Sequence, residues 1–353
     1  MSSGNEFNTT GIDYADRRHL GWTGPIVDFH AHVMVTRPGD PANGPPTGEG
    51  PGASSDQAAR MFAVADEFGI GPTVSMCLPD DIPILRERFG DRILFNGPIQ
   101  KRTKDEPDDS AYRLLDRYLE AGVVMIKFWS APRGRDRGLV VDAPWRIEAA
   151  KRARAAGVRL VMVHVADPDV WFRSVYADSA KFGTKADQYT PLRRMLELFP
   201  DMTFIAAHMG GDPEHPDHLE ALLEAHPNLH FDTSATKWQI REVSPRRDDH
   251  RALIERHPDR FLFGTDLVTR HFLEREHYVS RYWCQRTLWE SRWTGPSPIA
   301  DPDHAGPVPL ELRGVGLSAA TLEAVYHRNA FRLLGLSRGE PARRLTEERG
   351  LRE

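Results

Sequence analysis

The chain is poor in cysteine: Cys77 and Cys284 are the only two in 353 residues. Two thiols exclude a disulfide framework and a four-cysteine zinc site, and they make a cytoplasmic location the default expectation. No run approaches the roughly 18 continuous apolar residues of a membrane-spanning helix. The opening MSSGNEFNTTGIDYADRRHL lacks the basic-then-apolar pattern of a secretory signal. Positive charge is not in excess, with Lys+Arg 46 against Asp+Glu 51 and a net charge of -5. That balance gives no electrostatic case for nucleic acid or an anionic membrane and leaves a small molecule as the expected partner. No repeat recurs at a fixed period. Hydrophobic residues at 40% and charged residues at 27% exclude a disordered or fibrous chain.

What is present is histidine, fifteen in all. Around them the chain has a regular rhythm. Short runs of Val, Ile, Leu and Phe fall at 26–30, 73–78, 93–98, 123–128, 159–165, 203–207, 229–233 and 261–264. Runs apolar on both faces suit buried parallel strands. Helical spacing lies between them at 56–68, 111–121, 143–155, 191–198, 218–225 and 251–257, with Asp56, Ser110, Asp142 and Thr190 as candidate caps. Eight strands with interposed helices predict an α/β fold, a (β/α)8 TIM barrel, with a doubly wound open sheet as runner-up.

Length alone allows two domains of about 150 residues or one large barrel. The rhythm favours one domain over 1–353, with its core at about 26–336. A Gly/Pro-rich loop at 37–55, an insertion at about 271–316 and a charged tail at 337–353 complete it.

A barrel places its active site at the C-terminal ends of its strands. The first run ends in Asp28-Phe29-His30-Ala31-His32, whose alternation puts Asp28, His30 and His32 on one face. The fifth run ends in His164, the sixth in His208 and the eighth in Asp266. A lone His or Asp after a strand is usually a turn or cap residue. Four such strand ends on one rim read as a site for one divalent metal ion. Imidazole with carboxylate favours zinc, with Mn, Fe or Co as alternatives.

These segments carry a resemblance. DFHAH at 28–32, VMVHVADP at 161–168, FIAAHMGG at 204–211, FDTSA at 231–235, FLFGTD at 261–266 and YHRNAFRLLGL at 326–336 stand in the order found in the amidohydrolase superfamily. The chain most resembles its amidohydrolase-related group, which includes aminocarboxymuconate semialdehyde decarboxylase. The resemblance implies a TIM barrel with His30, His32, His164 and Asp266 as metal ligands. His208 and Asp266 would be the catalytic groups, and Asn329-Ala330-Phe331 would belong to a structural closing helix. It implies a metal-dependent hydrolase using a metal-activated water on a small cyclic or carboxylated substrate. A non-oxidative decarboxylase of an aromatic or unsaturated acid is the alternative, since one ligand set serves both reactions.

Other residues are assigned more loosely. Asp28 is either an acceptor for a metal-bound imidazole or a partner of local backbone. Lys127 ends the fourth strand, where some superfamily members carry a carboxylated lysine bridging two metals; a lysine bonding a neighbouring strand end is the expectation here. Trp129, Trp171, Trp238 and Arg270 are candidates to line a substrate pocket, and Arg37, Arg60 and Arg270 to hold a carboxylate. His215 and His218 read as capping, exposed residues. The aromatic stretch from Tyr282 to Trp293 reads as a lid, a subunit contact supporting a homodimer, or the core of the insertion. A binding protein on a retired barrel is the third functional reading, and the intact His and Asp set argues against it.

Overall fold

The computed structural model describes residues 6–35, 56–101, 103–269, 275–304, 306 and 308–336. The loop 37–55, the tail 337–353, Arg37 and Arg270 lie outside them. Eight parallel strands follow the apolar runs: β1 Ile26–His32, β2 Ile70–Met76, β3 Ile93–Pro98, β4 Met125–Trp129, β5 Leu160–His164, β6 Thr203–Ala206, β7 Leu229–Asp232 and β8 Phe261–Leu262. Each pairs with the next in sequence. The short β9, Leu267–Val268, continues the path of β8 and pairs with β1 through Ala31 and His32. Between the two, Phe29 N donates to Phe263 O and Asp266 N to His30 O. The last strand thus closes on the first, and the architecture is a (β/α)8 TIM barrel.

Two apolar layers hold it together. Val27, Phe29, Met125, Met162, Ile205 and Leu262 fill the barrel, where Ala330 and Leu334 join them. A larger layer packs the helices on the outside of the sheet. Asn329 belongs to the closing helix and donates to Pro258 O and Phe261 O, which anchors that helix to the start of β8.

Local signals fared unevenly. Asp56 caps the helix Gln57–Glu67 by accepting from Ala59 N. Ser110 and Asp142 are not caps: the helices Asp108–Glu120 and Pro144–Ala155 start from Pro107 and Ala143 with no side-chain cap. Nor is Thr190 a cap. Its helix, Lys185–Leu198, begins at Thr184 with a reciprocal Thr184–Asp187 capping box and runs through Pro191. Within the expected insertion, Arg275–Glu290 is a helix buried on nearly every side, and Trp283 and Trp289 are among the largest fully buried side chains. The aromatic stretch is therefore mostly core, so it gives no support to a subunit contact. Beyond it, Thr294–Pro296 and Glu311–Arg313 form an antiparallel pair.

One expectation about β1 fails for a clear reason. Its register against β2 shifts between Ile26 and Asp28 and again between Asp28 and Ala31. Such irregularities re-aim side chains. Val27 and Phe29 pack inside the barrel, His30 joins the site described next, and Asp28 does not share its neighbours. The Asp28 carboxylate instead accepts from His30 N, Thr265 N and Thr265 Oγ1. It ties β1 to the loop after β8. Burial pushes its carboxyl up to about 7 against those hydrogen bonds.

Candidate metal centre

His30 stands at the centre of the rim. Its Nδ1 lies 2.8 Å from Asp232 Oδ2 and 3.0 Å from Ser234 Oγ, both contributed by β7 and its loop. Its Nε2 lies 2.9 Å from Lys127 Nζ of β4 and 3.3 Å from Asp266 Oδ1. His32 Nε2 lies 3.1 Å from that same Asp266 oxygen. His208, from the end of β6, stacks on His30 with ring centroids 4.9 Å apart and places Nδ1 2.7 Å from Ser234 Oγ. Metal-type donor atoms of His30, His208 and Asp266 all lie within 4.8 Å of one another.

His164 stands at the edge of this group, its ring 5.0 Å from that of His208. Its Nε2 is 2.8 Å from Asp167 Oδ1, and Tyr176 donates to the other Asp167 oxygen at 2.5 Å. A ligating imidazole commonly gives its second nitrogen to a carboxylate. Asp167 fills that position for His164 and leaves Nδ1 available. Asp232 does so for His30 and leaves Nε2. The donors present thus suit a divalent cation in type and in the way the His30 and His164 rings are fixed.

The backbone is strained at this rim. Among the described residues, the non-glycine residues with positive φ are His208 (57°), Met209 (53°), Ala235 (66°) and Asp266 (60°), which all follow β6, β7 or β8. Left-handed backbone disfavours side chains and concentrates at functional sites. Gly211 shows why glycine ends the HMGG segment: a Cβ there would stand 1.8 Å from Ala166 O.

Burial and charge set the protonation states. Burial works against a charge on Asp266, but His30, His32 and His208 outweigh it and hold its carboxyl well below the usual range. Asp232 is likewise lowered against burial, mainly by His30. Burial holds His208 well below the usual imidazole value, partly opposed by Asp266. His32 and Lys127 are lowered for the same first reason.

Above the centre opens a cavity of about 950 Å³, which His32, Lys127, His164, His208 and Asp266 all border. Trp129, Trp171 and Trp238 line it. Arg60, on the first helix, is not among its lining residues. His215 and His218 sit apart around Asp212, where Lys185 Nζ also fills the space between Asp169, Asp212 and Glu214. Asp232, Ser234 and Asp167 received no role from the sequence, although each lies inside a motif that marks the resemblance.

A barrel with this rim defines a class, and comparison with known proteins names it. The model of the amidohydrolase family matches residues 27–336. The chain belongs to that family and is an enzyme of the amidohydrolase superfamily. No curated protein matches it. Solved structures share the fold at low identity. 5-Carboxyvanillate decarboxylase from Novosphingobium aromaticivorans, complexed with manganese and 4-hydroxy-3-methoxy-5-nitrobenzoic acid, is 15% identical with a TM-score of 0.50, covering 88% of this chain and 96% of its own. 4-Oxalomesaconate hydratase from Rhodopseudomonas palustris is 15% identical with a TM-score of 0.54, covering 92% and 98%. A variant organophosphorus hydrolase from Deinococcus radiodurans is 18% identical with a TM-score of 0.55, covering 88% and 93%.

Proposed function

We propose that the protein is a metal-dependent hydrolase acting on a small cyclic or carboxylated molecule in the cytoplasm. His30, His32, His164 and Asp266 hold one divalent cation, and His208 moves the proton. The observation that carries this reading is the meeting of His30 Nε2 and His32 Nε2 on one Asp266 oxygen, at 3.3 and 3.1 Å, beside the cavity. Zinc is the first cation to try because the donors are imidazole and carboxylate, and manganese is the second. A bound divalent cation lowers the pKa of water toward about 7 and polarises a substrate carbonyl.

The chain's own groups do the rest. Asp232 and Ser234 fix the His30 ring. The ionised Asp266 is placed to take the proton released by the attacking water at its carboxylate, and His208, uncharged and braced by Ser234, to pass a proton to the leaving group. A positioned acid–base group contributes about 10²–10⁴-fold. The indoles of Trp129, Trp171 and Trp238 offer flat apolar walls to the substrate.

One observation favours decarboxylation as a second reading. Arg133, Arg137, Lys237 and Arg281 also border the cavity, and such cations suit an acid substrate. The test is to load the protein with zinc or manganese and offer cyclic esters, cyclic amides and hydroxybenzoates. Ring opening without CO2 supports hydrolysis, and CO2 release from the acids alone moves the assignment to the second reading. If the loaded protein does neither, both readings fall.

A further inference from the structure

Buried cations in this fold are almost all engaged. Arg241 meets Glu242 and Asp301, Arg286 meets Glu290, and Lys185 meets three carboxylates. Arg146 and Arg260 donate to backbone carbonyls, Arg146 also to Ser130 Oγ, and neither lines the cavity. Two cations on the cavity wall differ. Arg281, only 9% exposed, reaches Ser280 Oγ at 3.1 Å and His277 O at 3.4 Å, with its guanidinium over the Phe7 ring. Lys237, half-buried, makes no hydrogen bond or ion pair among the described residues. Nearby acids are occupied or turned outward: Asp301 serves Arg241, Asp303 accepts from Trp171, and Glu6 is exposed. Burial lowers the Lys237 ammonium pKa and Arg281 lowers it further, partly opposed by Asp301, Glu6 and Asp303.

Two partly desolvated cations on one cavity wall, neither in an ion pair, cost folding free energy that an entering anion restores. Trp238 follows Lys237 in the chain and joins this pair to the catalytic rim. Its ring centroid lies 5.4 Å from that of His208 and 6.2 Å from that of His164. Taking the proposed metal centre as the reacting end, the geometry points to a carboxylate subsite formed by Arg281 and Lys237. It holds an acid group of the substrate remote from the reacting bond, while a flat conjugated body lies along Trp238. A planar guanidinium fork with one ammonium matches the two oxygens of a carboxylate.

The test is calorimetric titration of the full, chelator-treated chain with benzoate, benzamide and phenyl phosphate. Benzoate is expected to bind at least about tenfold tighter than benzamide, and Lys237→Gln and Arg281→Gln each to remove about tenfold or more of that affinity. Benzamide binding should stay unchanged in both, and Arg281→Lys should recover part of the loss. Three results overturn the subsite: equal affinity for benzoate and benzamide, undiminished benzoate affinity in Lys237→Gln, or phenyl phosphate binding about tenfold tighter than benzoate. Zinc titration of the same samples separates this inference from the proposed function. A protein that takes zinc but ignores benzoate's charge overturns only the subsite. One that discriminates benzoate but takes no zinc overturns only the metal centre.

Discussion

Asp232 and His30 meet across the closed barrel, Oδ2 to Nδ1 at 2.8 Å, with neither side chain exposed to solvent. They are 202 residues apart in the chain. The carboxylate holds a proton on Nδ1 and so presents the Nε2 lone pair to the centre. Asp232→Asn keeps the volume but loses the charge that selects this tautomer. Zinc affinity, measured against a competing chelator, is expected to fall about 10–100-fold. An unchanged affinity would show that Asp232 merely braces β7.

The His208 and His164 rings stand close enough to exchange roles, and variants separate them. Asp266→Ala and His164→Ala are expected to lose both turnover and cation retention. His208→Ala is expected to lose turnover by about 10²-fold or more while still retaining the cation. The check is metal content by elemental analysis after gel filtration, alongside rate. If His208→Ala sheds its metal as readily as Asp266→Ala, His208 is a ligand and the proton belongs elsewhere.

Lys127 points its ammonium at His30 Nε2 from 2.9 Å. A lysine there that bonds a strand end is dispensable for binding one cation, whereas a carboxylated lysine bridging two metals is not. Lys127→Met is expected, like the parent, to hold one cation per chain, with affinity equal or higher because a neighbouring positive charge is gone. Two cations in the parent, or none in the variant, would assign Lys127 to the ligand set.

Why some of this was legible in the sequence and some was not has a physical basis. The run at 93–98 coincides with β3, Ile93–Pro98, because a strand buried on both faces leaves a continuous apolar signature. His164, His208 and Asp266 stood out because a polar residue ends such a run. Asp232 ends one as well, yet its meaning depends on barrel closure bringing β7 beside β1, which no local pattern encodes. Asp28 was misplaced because strict alternation does not survive the register shifts in β1. The helix Arg275–Glu290 escaped notice because burial on nearly every side erases the apolar stripe that identifies a helix. Arg281 stands at the start of the aromatic stretch as one of several arginines, and nothing local marks it for a role.

Acid should weaken the fold through histidines far from the centre. His230 is held down to about 3 by burial, helped by Arg260 and Arg332, and His250 to about 4 by burial despite its 2.8 Å contact with Pro213 O. Both folded values lie below the unfolded value of about 6.5, so the unfolded chain takes up protons that the native chain refuses. Their contribution is complete above about pH 6.5 and is lost progressively down to about pH 3–4. Between pH 7.5 and 5 each histidine accounts for about 2 kcal/mol of lost stability. Urea unfolding of the metal-free chain is expected to show this loss, and His230→Gln with His250→Gln to remove most of it. Carboxylates titrate alike in parent and variant, so they cancel from the comparison. Equal pH dependence in the two proteins would mean that these imidazoles are protonated in the native state.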